Sequence, residues 1–419
     1  MKITSTTALA IALALGVAGG AGTAPAFAKD KKEEAKAPNY NLSKPVRESL
    51  AKAQTALTAG DNATAATEIA NARAAAKTED DKFLSSQMLY NLSQKTNDPK
   101  QRDEAMTGML AGNRLPPETR TQVLLQMGQT AAQAGDVSRA QQYLGEVIKT
   151  DPNNNDAYAL LAEAQVKAGK PQEAIATFQQ AMDHAKQTGQ KLPANWYGRA
   201  VNIAYTAKLP DQTEAITRDW LGAYPTKDNW RDSLVIWRDL HKIDNDTEID
   251  LMRLWRTTGS LKGAADYMDY VNAVYLRNPG EAKGVLDEGV KANYVNLASN
   301  QNAREINGIV ASKMAGDKAS LTASATQAKG PKGTAKLAVN VGDGYLGYEM
   351  WPQAIEMYKL ALSKGGADAN LINTRLGMAL ARSGDKEGAK AAFAQVTGPR
   401  TGLAKYWLIY LDQGSPAAA

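Results

Sequence analysis

The chain contains no cysteine, only two histidines and 6% aromatic residues, and each shortage removes a class of chemistry. Without thiols there is no disulfide framework, zinc–thiolate site, iron–sulfur centre or cysteine nucleophile. His184 and His241 have no metal-type partner at helical spacing, and no H-E-x-x-H, G-x-S-x-G or P-loop occurs. Both histidines read as helix-surface residues. Neither sign of charge dominates: 49 Lys and Arg against 44 Asp and Glu leave +5 over 419 residues. That surplus is too dilute to indicate nucleic acid, and is compatible only with weak attraction to anionic envelope polymers. Beyond the N-terminus no apolar run reaches the ~20 residues of a membrane-spanning helix, so no integral span is expected.

What is present is an alanine-rich apolar fraction, 43% in all with its few aromatics, which is the composition of closely packed helices. At about 150 residues per domain the length allows two or three domains, or one elongated array. Lys2, the apolar run from Ala8 to Val17 and Ala26-Phe27-Ala28 form a secretory signal over residues 1–28. We expect cleavage after Ala28 and a bacterial periplasmic location. Residues 29–40 mix both charges without periodicity and read as a flexible leader, and 412–419 read as a tail.

Internal repeats organise the rest. Gly128, Gly135, Ala140 and Leu144 recur 34 residues later as Ala162, Gly169, Ala174 and Phe178. Gly342, Ala354, Tyr358 and Ala361 recur 35 later as Gly377, Ala389, Phe393 and Val396. Each unit reads as helix, tight turn, helix, with a break such as Gly169-Lys170-Pro171 between the two. One such hairpin leaves an apolar face wet, so it must stack on a neighbour. Two clear repeats therefore span 119–188 and two more span 337–400. Degenerate pairs fill 41–118, with turns at Gly60-Asp61 and Asn97-Asp98-Pro99, and the tryptophan-rich 189–310. Residues 401–411 form a capping helix.

The pattern resembles the tetratricopeptide repeat family, W-x₂-L-G-x₂-Y, then A-x₃-F, then P. Leu376-Gly377, Ala389 and Phe393 match it in one unit. Gly342, Tyr345, Ala354 and Tyr358 match in another, and Gly128, Ala140 and Pro152 in a third. The resemblance implies an all-α, right-handed α-solenoid whose first helices line a concave groove holding peptides or chain termini. It thereby implies a non-enzymatic interaction scaffold that needs no cofactor and binds a protein or peptide partner. Asn202 matches an asparagine with which some members clamp a terminal carboxylate, and Asn195 and Tyr205 would face the same groove. Gln129 and Glu163 are the neighbouring groove positions, and Gly198 stands where a clamp lysine belongs.

Two other functions use the same scaffold. One is an envelope enzyme acting on peptidoglycan or polysaccharide, but the repeats run to Phe393 and leave too little chain for an appended catalytic domain. The other is an assembly subunit of an outer-membrane or polysaccharide export system. Gly342-Asp343-Gly344-Tyr345-Leu346-Gly347 is literally G-x-G-x-x-G, yet a dinucleotide site needs a preceding strand, and the repeat already accounts for Gly342 and Tyr345. Asp244, Asp246 and Asp250 alternate like a calcium loop but lack its sixth glycine and twelfth glutamate, and suit a helix N-terminus better. Residues 311–336, with Lys313, Lys318, Lys329, Lys332 and Lys336, read as a solvated helix and loose turn or as an electropositive contact strip. The cluster Trp196, Trp220, Trp230, Trp237 and Trp255 is either core or interface.

Overall fold

The computed structural model describes residues 40–414. The signal peptide, nearly all of the leader and the last five residues of the tail lie outside the described residues. Among the described residues every regular element is a helix, as the alanine-rich composition requires: twenty α-helices and one 3-10 turn. The chain divides into two compact units, Met1–Thr150 and Asp151–Ala419.

The N-terminal unit holds three helix pairs: α1 (Lys44–Ala59) with α2 (Asn62–Ala75), α3 (Glu79–Thr96) with α4 (Pro99–Leu110), and α5 (Pro117–Gln133) with α6 (Val137–Thr150). Asp61 and Asp98 cap α2 and α4 by accepting first-turn N–H groups. The entry to α3 does more. Thr78 and Asp81 form a reciprocal capping box, while the N–H of Ser43 donates to Asp81 at 2.9 Å and that of Asn41 to Asp80 at 2.7 Å. The first turn of α3 thus ties down the segment that leads into α1.

The C-terminal unit begins with α7 (Asn155–Lys167) and α8 (Pro171–Thr188), then α9 (Ala194–Thr206) and α10 (Pro210–Ala223). Next come α11 (Lys227–Leu240), α12 (Asn245–Thr257), α13 (Gly263–Val274) and α14 (Pro279–Lys291). The long α15 (Gln301–Lys329) precedes α16 (Ala335–Gly347), α17 (Trp351–Lys364), α18 (Ala369–Ser383), α19 (Lys386–Ala394) and α20 (Thr401–Gln413). The lysine-rich stretch is therefore helical from ten residues before its expected start. Ile306, Val310, Leu321, Ala325 and Ala328 hold α15 at both ends, and none of residues 311–320 is buried.

Hard-sphere contact explains the small residues of the repeat. A Cβ on Gly128 would stand 2.5 Å from Leu144, one on Gly342 2.8 Å from Tyr358, and one on Gly377 2.6 Å from Phe393. Each large side chain on the second helix fills the notch left by the small residue on the first; Ala162 and Phe178 occupy the same two positions and are both buried. The turn position is equally regular. Gly135, Gly169 and Gly384 have φ of 77°, 72° and 92°, and Lys208 and Glu349 hold the same position at 56° and 57° without being glycine.

In the C-terminal unit the last helix returns to the middle of the chain. Tyr406 of α20 packs on Trp230 with ring centroids 6.4 Å apart, and its hydroxyl lies 2.8 Å from that of Thr217. Gly402 fits against the indole of Trp237, and the Gln413 amide donates to the Leu221 carbonyl at 2.7 Å. Trp230, Trp237 and Trp255 are buried, so these three are core; Trp196 and Trp220 are half-buried. Trp230 and Trp237 become core here because α20 covers them.

Candidate functional site

Two places gather polar side chains at the surface, both in the C-terminal unit. The first is the outer face of α9. Tyr197, Ala200, Val201 and Ala204 turn inward, which leaves Asn195, Asn202 and Tyr205 exposed on the other side, Tyr205 at 42%. Spacing of seven and three places them along one stripe. Within that stripe Arg199 donates to Glu163 of α7 at 2.9 and 3.0 Å, so Glu163 meets the α9 face as one half of an ion pair. Gln129 is half-buried on α5, in the N-terminal unit.

The second is a cleft of about 730 Å³. Its walls come from α12, α16 and α18, with the segments that join α13 to α14 and α17 to α18. Beneath it lies a buried charge network. Asp250, fully buried, accepts from Arg253 at 2.7 Å, from Arg375 at 3.0 Å and from Arg400 at 2.5 Å. Arg253 also grips Glu281 through Nε and Nη2 at 2.8 and 2.7 Å, and the Tyr270 hydroxyl donates to the same carboxylate at 2.5 Å. Arg375 spends its remaining donors on Asp343 at 2.7 Å and Asp246 at 3.1 Å, and Tyr358 donates to Asp343 at 2.7 Å. Three buried arginines face three buried or nearly buried carboxylates, the pairing that makes interior charge tolerable.

Each carboxyl responds to its own balance. Burial pushes Asp250 up, but Arg375, Arg253 and Arg400 outweigh it and hold the group below the ordinary carboxylate range. Glu281 follows the same pattern, with burial overcome by Arg253 and the Tyr270 hydroxyl. At Asp343 burial wins over Arg375, and the carboxyl sits above its ordinary value.

The acidic run 244–250 is thus not a calcium loop. Asp244 caps α12 through the Thr247 N–H at 2.6 Å, Asp246 pairs with Arg375, and Asp250 anchors the network. The N-cap assignment accounts for Asp244 alone; the buried role of Asp250 leaves no periodic signal. Among the described residues no group of three or more His, Asp or Glu is placed to hold a metal ion. The G-x-G-x-x-G run lies inside α16, where Gly342 meets Tyr358, Gly344 meets Leu321 and Gly347 meets Glu281. Its three glycines serve three packing contacts, and the residue between the first two is Asp343. His184 lies 2.9 Å from the Asn153 amide oxygen, and His241 reaches the Trp237 carbonyl at 2.8 Å while stacking on its indole.

Sequence comparison agrees with these helix pairs. Residues 131–191 match the tetratricopeptide repeat family. No curated protein matches the sequence. Among solved structures, a tetratricopeptide repeat protein from Parabacteroides merdae is 15% identical, with 70% of this chain and 100% of that one covered at a TM-score of 0.23. The TPR2AB domain of yeast Sti1 in complex with pHSP90 is 13% identical, with 71% and 100% covered at 0.25. Pseudomonas aeruginosa pilF is 13% identical, with 66% and 90% covered at 0.21. The small-for-large notches and the matched segment show that the chain carries tetratricopeptide repeats, with the all-helical fold class of an α-solenoid. Proteins of this kind are in general non-enzymatic scaffolds that bind protein or peptide partners. No helix among the described residues is long and apolar enough to cross a membrane.

Proposed function

We propose that this protein is a periplasmic interaction scaffold that captures a peptide or protein partner along the exposed face of α9. The observation that carries the reading is the stripe Asn195, Asn202 and Tyr205. It presents two amides and a phenol to solvent from a helix whose opposite face is locked into the core. Asparagine amides can bond a partner's backbone in both directions, and an exposed tyrosine adds contact area at low entropic cost. The export signal at 1–28 supports the location.

The test combines two measurements. Cell fractionation should recover a mature chain beginning at Lys29 with the periplasmic proteins. Photo-crosslinking from position 198, inside the stripe, should yield a discrete adduct that Asn195→Ala plus Asn202→Ala reduces several-fold without loss of helical content. Adducts of unchanged intensity in the double variant would reject this face as the site.

A further inference from the structure

We propose that the cleft of the C-terminal unit is a second, separate binding site for a small organic anion. In it a carboxylate head would lie at Arg277 and Lys336 and an apolar body against Val274, Val339, Leu371 and Ile372. Its volume of about 730 Å³ suits such a ligand, since small-molecule sites run roughly 300–1,000 Å³.

The sign of the head group follows from which charges are already spoken for. The cleft carries three acids. Asp246 is held by Arg375, Asp343 by Arg375 and Tyr358, and Asp368 caps α18 by accepting the N–H groups of Asn370 and Leu371. Arg253 and Arg375, which reach the cleft from below, are saturated by buried carboxylates. The rim cations are different. Arg277 has a side chain 71% exposed and only a 3.5 Å approach to Asp246, while exposed Lys336 is engaged by no acid among the described residues. Lys336 also stands in the first turn of α16, which contains no acidic residue to answer the positive end of that helix. The lining cations left with unspent donors are therefore Arg277 and Lys336, and the lining amides Asn278 and Asn340 follow them in sequence, by one and four positions.

The apolar wall sets the rest of the ligand. Val274, Val339 and Ile372 are buried side chains that reach the cleft from three different segments. These walls are fixed relative to one another, because Arg375 of α18 bonds Asp343 of α16 and Asp246 of α12 across 32 and 129 positions of sequence. A pocket braced in this way fits a compact molecule better than an extended chain.

The experiment is calorimetric titration of the full mature protein with octanoate, acetate and octylammonium at low ionic strength. Octanoate should bind saturably, more tightly than acetate, and octylammonium should not bind. Affinity for octanoate should fall roughly tenfold or more in Arg277→Glu plus Lys336→Glu, two exposed sites whose replacement leaves helical content unchanged. It should also weaken as salt is raised. The proposal is overturned if octanoate shows no saturable binding, if octylammonium binds as well as octanoate, if acetate binds as tightly, or if the double variant binds octanoate like the parent protein. Loss of partner crosslinking at α9 leaves these titrations unaffected, so the two sites are tested independently.

Discussion

In the N-terminal unit the described side-chain hydrogen bonds join residues fewer than 40 positions apart, the farthest being Asn41 to Asp80. In the C-terminal unit Asp250 meets Arg400 across 150 positions, and Thr217 meets Tyr406 across 189. Both units are assembled from the same hairpin with the same small-for-large notch. The difference is that one leaves each pair touching only its neighbours, whereas the other folds its last helices back over its middle. Stability in the first should behave as a sum of local terms; in the second it should be shared.

The sharpest way to break that contrast is to remove Asp250. With three arginines left around an empty position, Asp250→Ala should cost about 3–5 kcal/mol. Hydrogen exchange should then speed up together in α12, α18 and α20, segments far apart in sequence, while α1 to α6 keep their protection. Loss confined to α12 would show the C-terminal unit to be as local as the other.

A matched pair of glycine substitutions comes next. Gly128→Ala forces a methyl against Leu144, and Gly377→Ala forces one against Phe393; overpacking of this kind costs roughly 1–3 kcal/mol. The first should loosen α5 and α6 only. The second should also reach α20, because Phe393 stacks on Trp407 at 5.7 Å. Exchange profiles of equal breadth would contradict the comparison.

Acid should act on both units, through different groups. Burial pushes the Asp81 carboxyl up, yet the N–H groups of Ser43, Thr78 and Lys77 outweigh it and bring it from 3.8 to about 2. Its folded value is depressed, so its contribution is present above pH 4 and is lost as the pH falls toward 2. Asp81→Asn should flatten that part of an acid-unfolding curve for the N-terminal unit, by roughly 2 kcal/mol at most. In the C-terminal unit Asp250 and Glu281 act in the same direction and Asp343 in the opposite one, since its raised value favours the folded state below, not above, its titration.

The smallest effect is a gain. Lys208 occupies a left-handed turn position that Gly169 fills in the preceding pair. Lys208→Gly should raise stability by up to about 1 kcal/mol in thermal unfolding. Glu349→Gly should gain less, because Glu349 also bonds Arg256 at 2.9 Å.

The hairpins are legible in the sequence because their cause is local. A glycine at the turn and a small residue sixteen positions before a large one are written in a single stretch of chain, and the period of 34 or 35 repeats them. Gly342 with Tyr358, and Gly377 with Phe393, can be paired from spacing and residue size alone. The lysine-rich stretch is half legible: its residues predict a helix, but the start at Gln301 is marked only by Asn300, whose side chain caps the helix by accepting the Ala303 N–H. Nothing local places the tryptophans as core or surface, because what covers Trp230 and Trp237 is α20, almost 170 residues further on.

Least legible is the charge network under the cleft. Asp250, Asp343, Arg375 and Arg400 sit in ordinary-looking helical stretches, and each alone resembles a solvated charge. The one available sign is closeness in sequence to the packing positions of the repeat: Asp343 follows Gly342, and Arg375 precedes Leu376-Gly377. By itself the sequence determined the helix, the hairpin and the stacking, all governed by residues within a few turns of one another. Only the tertiary structure decided where the stack closes and which charges it buries. Those outcomes depend on pairs of oppositely charged groups more than a hundred residues apart, whose meeting is set by the summed geometry of every repeat between them.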